Sequence, residues 1–243
     1  MLEGLSLCIL AYNEERTIKR LILHCLEKGR AVARRCEVIV VLYEGSSDKT
    51  RQIVESLVKT HKAKKEIRLV VQPHGDRGYG EALRLAVTNA RMPYIFYTDG
   101  DAQFDVDDID RLLPHVERNE LVTGYRLRRR DQPMRILAAW VYNLLLKIVF
   151  GTKVKDIDCA FKIYQKKMFS KITITCKTGM ADAEVFIKAM HAGFRIKEVG
   201  VRHFARKEGT AVFQNKLGLI KPKVVLDLLR DMRSIHHQVH DKG

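Results

Sequence analysis

Short apolar runs alternate with segments of helical period through the first half of the chain. Leu5 to Ala11, Glu37 to Tyr43, Ile67 to Gln72 and Tyr94 to Thr98 read as strands, and helical segments start at Glu14, Asp48 and Gly80. Nearly continuous apolar strands between helices predict an α/β fold, with a parallel sheet carrying helices on both faces. Glu120 to Gly124 predicts one further strand. In sheets of this kind ligands sit beyond the carboxyl ends of the strands.

The pattern changes after Tyr125 to Asp131, a run with four arginines. Ile136 to Phe150 is the longest apolar stretch, interrupted by Asn143 and Lys147. Spanning a bilayer takes ~20 mostly apolar residues, so no transmembrane helix is predicted. On a helix, Leu137, Val141, Leu144, Leu145 and Ile148 form one stripe, with Arg135, Asn143 and Lys147 nearly opposite. Two readings share this period. One is a core helix packed on the sheet; the other is an interfacial helix on a membrane, favoured by the flanking arginines and Trp140. A second amphipathic segment, Lys221 to Ile235, carries Val224, Val225, Leu228, Leu229, Met232 and Ile235 on its apolar side, with Lys221, Lys223, Arg230 and Arg233 around it. The tail from His236 to Gly243 is expected to fray, with its histidines solvated. The domain boundaries expected are 1–213 for one α/β domain that includes a 133–151 amphipathic helix, then 214–243 for the C-terminal helix and tail.

Chemistry-bearing residues fall at the strand ends. Asp99-Gly100-Asp101-Ala102-Gln103 follows the apolar run Pro93 to Tyr97, and two carboxylates one residue apart offer hard oxygen ligands for a divalent cation. Asp-Gly is also a common turn dipeptide, and a polar turn is the alternative. Tyr12-Asn13-Glu14-Glu15 ends the first strand and Glu44-Gly45-Ser46-Ser47-Asp48 the second. Between them His74 to Gly80 is a glycine-rich loop before a helix, suited to close backbone approach to an anion.

The formal net charge of +15 implies an anionic partner. Nucleic acid is excluded as that partner, because the basic run adjoins an apolar helix and no recognition module is present. A dehydrogenase is excluded because no GxGxxG follows the first strand. Five cysteines without a CxxC pair predict reduced thiols in a cytoplasmic chain, and no secretory signal is expected.

Seven segments in order then carry a resemblance: Ala11 to Glu15, Glu44 to Thr50, Gly78 to Leu83, Asp99 to Gln103, Gly124 to Arg126, Asp156 to Lys162 and His203 to Gly209. With them the chain resembles family 2 glycosyltransferases of the GT-A fold, in the branch of dolichol-phosphate mannose synthase and polyprenyl-phosphate glycosyltransferases, which implies a mixed, mostly parallel sheet flanked by helices. The resemblance implies a nucleotide-sugar donor bound by Ala11, Tyr12, Asn13, Glu14, Glu44, Gly78, Gly80, Asp99, Gly100 and Arg202. It implies Mg²⁺ or Mn²⁺ held by Asp99, Asp101 and Gln103. Asp99, Asp101, Arg126 and Arg206 would carry catalysis, with Arg126, Asp156, Asp182 and Glu184 on the acceptor side. Tyr43-Glu44 departs from the family's usual Asp-Asp, Ala160 replaces a usual glycine, and Lys162 a frequent arginine.

The acceptor expected is a polyprenyl phosphate, already anionic and in need of no strong base. A sugar hydroxyl, with Asp182 or Glu184 as its base, is the alternative. A catalytically silent glycosyltransferase-like subunit is a further one. An anionic membrane surface, with the chain peripherally associated, and a membrane-protein partner complete the expectation.

Overall fold

A computed structural model describes residues 1–60, 66–127, 133–205 and 222–240. Arg206, the remainder of the basic run at 128–130 and the side chains of Arg135, Lys221, Lys223 and Val224 lie outside the described residues.

Seven strands form one sheet: β1 (Leu5–Ala11), β2 (Cys36–Tyr43), β3 (Ile67–Gln72), β4 (Tyr94–Asp99), β5 (Leu121–Leu127), β6 (Phe161–Gln165) and β7 (Ile196–Arg202), in the order β3-β2-β1-β4-β6-β5-β7. The first four run parallel. β6 is antiparallel to both of its neighbours, and β5 and β7 are again parallel. The expected mixed, mostly parallel sheet is therefore present. β1 is buried along its whole length, and β2 along all but its ends, which is why both read as continuous apolar runs.

The helices are α1 (Ile18–Val32), α2 (Thr50–Lys59), α3 (Tyr79–Asn89), the one-turn α4 (Ile109–Leu112), α5 (Pro133–Phe150), α6 (Ala181–His191) and α7 (Pro222–His240). Among the described residues no helix is long and apolar enough to cross a membrane. All five cysteines are unpaired thiols.

Helix α5 inverts one of the two readings of its pattern. The stripe of Leu137, Val141, Leu144, Leu145 and Ile148 is exposed to solvent, together with Ile136 and Trp140. The helix faces the protein instead through buried Leu146 and Phe150 and half-buried Tyr142 and Asn143. Asn143 is on this inner side because its amide is used there: Oδ1 accepts the Ile157 N–H at 3.3 Å. The core-helix alternative therefore fails.

Helix α7 packs on the same body by Met232 and Ile235, both buried in the core cluster, while Val225, Leu226 and Leu229 are exposed. Thr178 Oγ1 donates to Asp231 at 2.6 Å. The expected fraying at His236 is corrected: helix continues to His240, where ring contacts hold the turn. His236 lies 6.2 Å from the Phe150 ring, and His240 5.2 Å from that of His191.

Candidate active site

The register of the sheet gathers the candidate residues at one edge. Asp99 ends β4 beside β1, and Gly100 N–H donates to the Leu10 carbonyl at 2.8 Å, so the loop starts against the end of β1. Ala102 then takes a left-handed conformation, φ 54°, which costs an ordinary residue roughly 1–2 kcal/mol. The bend is held because Asp101 Oδ1 accepts the Gln103 N–H at 3.1 Å. Gln103 in turn exchanges two hydrogen bonds with Phe204, its carbonyl accepting at 2.8 Å and its Nε2 donating at 3.0 Å. The buried Gln103 is thus tied to the segment after β7 through its Nε2 and its backbone carbonyl, bonds that do not involve the side-chain oxygen expected to ligate a cation.

Loops from β1 and β2 are laced together beside this turn. Asn13 Oδ1 accepts Ser47 N–H at 2.8 Å, Thr50 Oγ1 accepts Glu14 N–H at 2.8 Å, and Asp48 accepts Glu15 N–H at 3.0 Å. Thr17 Oγ1 donates to the Gly100 carbonyl at 2.8 Å, joining the laced loops to the carboxylate turn. Beyond them stands a ring cluster: Tyr43 lies 5.7 Å from Tyr12 and 5.5 Å from His74, with the Arg77 guanidinium 5.6 Å from its centroid. Glu44 accepts the His74 N–H at 3.1 Å. Ala11, Tyr12, Asn13, Glu14, Glu44, Asp99, Gly100 and Asp101 are therefore brought to one edge, as expected.

Asp99 and Asp101 suit Mg²⁺ or Mn²⁺ by their chemistry. Both are half-buried carboxylates one residue apart, and such ions take one or two carboxylates plus phosphate oxygens and water. A set of three, His24, Asp105 and Asp107, lies elsewhere, but its carboxylates already pair with Lys28 at 3.2 Å and Arg202 at 3.0 Å.

Other expected site residues make close contacts within the protein. Gly78 and Gly80 give close approach to the chain itself. A Cβ on Gly80 would stand 1.9 Å from the Cys176 carbonyl oxygen, and one on Gly78 2.1 Å from that of Lys177. Arg202, about half exposed, pairs with Asp105 and Asp108 at 3.0 and 2.9 Å. Arg126 is locked into a bidentate pair with Asp156, both bonds 2.6 Å, with both side chains buried. Burial works against its charge, yet pairing with Asp156 holds the guanidinium above its ordinary range.

The expected hydroxyl-acceptor bases are also committed. Asp182 is buried and accepts from Lys162 Nζ at 2.6 Å, Tyr97 at 2.7 Å and Tyr79 at 3.1 Å. Glu184 is fully buried, accepts the Thr175 and Cys176 N–H groups at 2.9 Å and pairs with Lys188. It staples the 173–176 segment to α6. Sequence reasoning passed over Asp158, inside a segment read as a family motif. Its Oδ1 is buried without a hydrogen-bond partner among the described residues. Burial first, then Asp182 and Asp156, push this carboxyl up to about 7.

The family model for Glycosyl transferase family 2 matches residues 6–173. The chain belongs to that family. Glycosyltransferase AglD of Haloferax volcanii is 30% identical over 207 residues, which cover 81% of this chain and 32% of that protein. An undecaprenyl-phosphate 4-deoxy-4-formamido-L-arabinose transferase of Pectobacterium carotovorum is 25% identical, covering 87% of this chain and 63% of the relative. A dolichyl-phosphate beta-glucosyltransferase of Dictyostelium discoideum is 24% identical, with 81% and 65% covered. The chain thus spans from about a third to about two thirds of the length of these curated relatives. Among solved structures, glucosyl-3-phosphoglycerate synthase of Mycobacterium tuberculosis, in complex with Mn²⁺, UDP-glucose and phosphoglyceric acid, shares the fold at a TM-score of 0.70. Identity there is 17%, over 95% of this chain and 80% of that one.

The Arg126–Asp156 pair gives this family 2 chain a direct test. Arg126→Ala leaves a buried carboxylate uncompensated and is expected to destabilise by about 3–5 kcal/mol in urea unfolding. Replacing both by leucine (Arg126→Leu with Asp156→Leu) is expected to recover most of the loss. An Arg126→Ala variant as stable as wild type would show the pair to be open to other partners.

Proposed function

We propose that the chain transfers a sugar from a nucleoside-diphosphate sugar to a polyprenyl phosphate at a membrane surface, by a single inverting displacement. The observation that carries the reading is the outward apolar stripe of α5, which leaves β5 at the edge where Asp99 and Asp101 stand. A lipid acceptor has to present its phosphate at the protein while its chain stays in the bilayer. An exposed face of Leu137, Trp140, Val141, Leu144 and Ile148 beside such an edge meets that need, and exposed Lys147, Lys153 and Lys155 suit anionic headgroups.

Two of the relatives carry undecaprenyl-phosphate and dolichyl-phosphate in their names, which supports the acceptor class. The commitments of Asp182 and Glu184 support it independently. A hydroxyl acceptor needs a base, and both expected bases are engaged in buried networks; a phosphate is already anionic.

In the step itself an acceptor phosphate oxygen attacks the anomeric carbon as the bond from that carbon to the diphosphate oxygen breaks. The nucleoside diphosphate leaves with the bonding pair, and the sugar's configuration inverts. Asp99 and Asp101 would hold Mg²⁺ or Mn²⁺, which when bound offsets the charge on the leaving diphosphate. The laced loops at Asn13, Glu14, Ser47 and Thr50 hold the donor side rigid, and the Tyr12, Tyr43 and His74 rings offer an aromatic wall for its base.

Two measurements test this reading. Purified protein given a panel of nucleoside-diphosphate sugars with Mn²⁺ is expected to glycosylate polyprenyl phosphate in micelles with inverted configuration, and to leave sugar alcohols untouched. Transfer to the alcohols alone would overturn the lipid acceptor, and turnover of neither would favour a silent subunit. In flotation, the protein is expected to bind anionic vesicles and to release with salt. Trp140→Ser with Leu144→Ser should weaken that binding at least tenfold, since two apolar side chains leave the interface. Unchanged flotation of the double variant would remove α5 from the membrane.

A further inference from the structure

Asp158 lies in the turn between α5 and β6, three residues before Phe161, which pairs with Thr98 in the antiparallel register. That register sets Asp158 at the edge where β4 delivers Asp99. The other buried carboxylates around it are answered: Asp156 by Arg126, Asp182 by Lys162 and two phenols, Glu184 by Lys188 and backbone N–H groups. Asp158 Oδ1 has no such partner.

The groups that face it answer the carboxyl only in part. Asp182 and Asp156 repel it. Lys162 and Arg126 attract it, but each already spends its short hydrogen bonds on one of those two. From α5 the Tyr142 phenol hydrogen-bonds the Asp158 carboxyl; burial first, then the Asp158 charge, hold it well above its ordinary range, and its hydroxyl also meets Met180 Sδ at 3.2 Å, so Oδ1 is the atom left without a donor. A buried acceptor atom without a donor is costly, and its retention calls for a reason outside the resting protein.

We propose that Asp158 is a sugar-binding residue: its unpartnered carboxylate oxygen accepts a hydrogen bond from a hydroxyl of the sugar carried by the donor. The inference rests on the nucleotide-sugar reading given above. An acceptor phosphate is the poorer occupant, because its dianion has no proton to donate and two anions would meet. A hexose offers several O–H donors, and a site built to bond one of them loses affinity when the bond is removed.

The test compares matched ligands, UDP with UDP-glucose and GDP with GDP-mannose, by calorimetric titration with Mn²⁺ on the full chain. In wild type the sugar is expected to add affinity for one pair. Asp158→Ala should cut the affinity for that nucleotide sugar at least tenfold while the bare nucleoside diphosphate binds within twofold of wild type. Asp158→Asn, which keeps an acceptor oxygen, should fall between. Neither variant should lower the unfolding midpoint of the ligand-free protein by several degrees, because Oδ1 has no donor there and the Tyr142 hydroxyl keeps its contact with Met180 Sδ. An unchanged ratio of sugar to nucleotide affinity in Asp158→Ala would overturn the proposal. So would loss of both affinities together with a midpoint fallen by several degrees, which marks a structural residue. Failure of wild type to bind any of the four ligands would instead overturn the transferase reading, and this proposal with it.

Discussion

The ion pair between Lys162 and Asp182 is the contact on which the candidate site depends. Both side chains are almost fully buried, and the bond is 2.6 Å. Lys162 belongs to β6, the one strand that runs against the rest, and Asp182 to the first turn of α6. The carboxylate also takes hydrogen bonds from Tyr97 of β4 and Tyr79 of α3, whose hydroxyls contact each other. One carboxylate therefore fixes two strands and two helices beneath the cleft. Such a pair adds little over an apolar filling, yet losing one partner leaves a bare charge at a cost of about 3–5 kcal/mol. Its value here is positional: it sets how α3 and α6 meet, and Gly80 is free of a side chain because that meeting brings the Cys176 carbonyl onto it.

From this follows the distribution of charge around the cleft. Lys162 and Arg126 are the positive groups nearest Asp158, and each is neutralised by its own aspartate. The arginines expected at phosphates, Arg126 and Arg202, each pair with carboxylates of the protein, Arg126 with Asp156 and Arg202 with Asp105 and Asp108. In the proposed reading, a cation at Asp99 and Asp101 would meet the diphosphate and the exposed apolar face of α5 the lipid.

Much of this was legible in the sequence, for physical reasons that differ by element. β1 and β2 are buried on both faces, so their apolar runs are unbroken and could only be central strands. The strand-end clusters were legible because a carboxylate or amide directly after such a run has to stand at the sheet's edge. Periodicity could not say which way α5 faces, since an apolar stripe has the same spacing against a core or against a membrane. The partner of a charge was equally hidden. Nothing in the spacing of Arg126 and Asp156, or of Lys162 and Asp182, tells that antiparallel β6 brings them together. Asp158 was hidden for a related reason, since being unpartnered is a property of surroundings and not of sequence. That Gly78 and Gly80 also make room for the Lys177 and Cys176 carbonyls was hidden in the same way.

The account holds that the two carboxylates at the end of β4 bind the donor through a divalent cation. The most direct test is calorimetric titration of the nucleoside-diphosphate sugar that binds best, with Mn²⁺ or with a chelator, to wild type and to Asp101→Asn. Affinity is expected to require Mn²⁺ and to fall at least thirtyfold in the variant, with the unfolding midpoint within about 2 °C of wild type, because ~1 kcal/mol moves a domain of this size by only a few degrees. Equal affinity in chelator, or equal affinity in the variant, would contradict it.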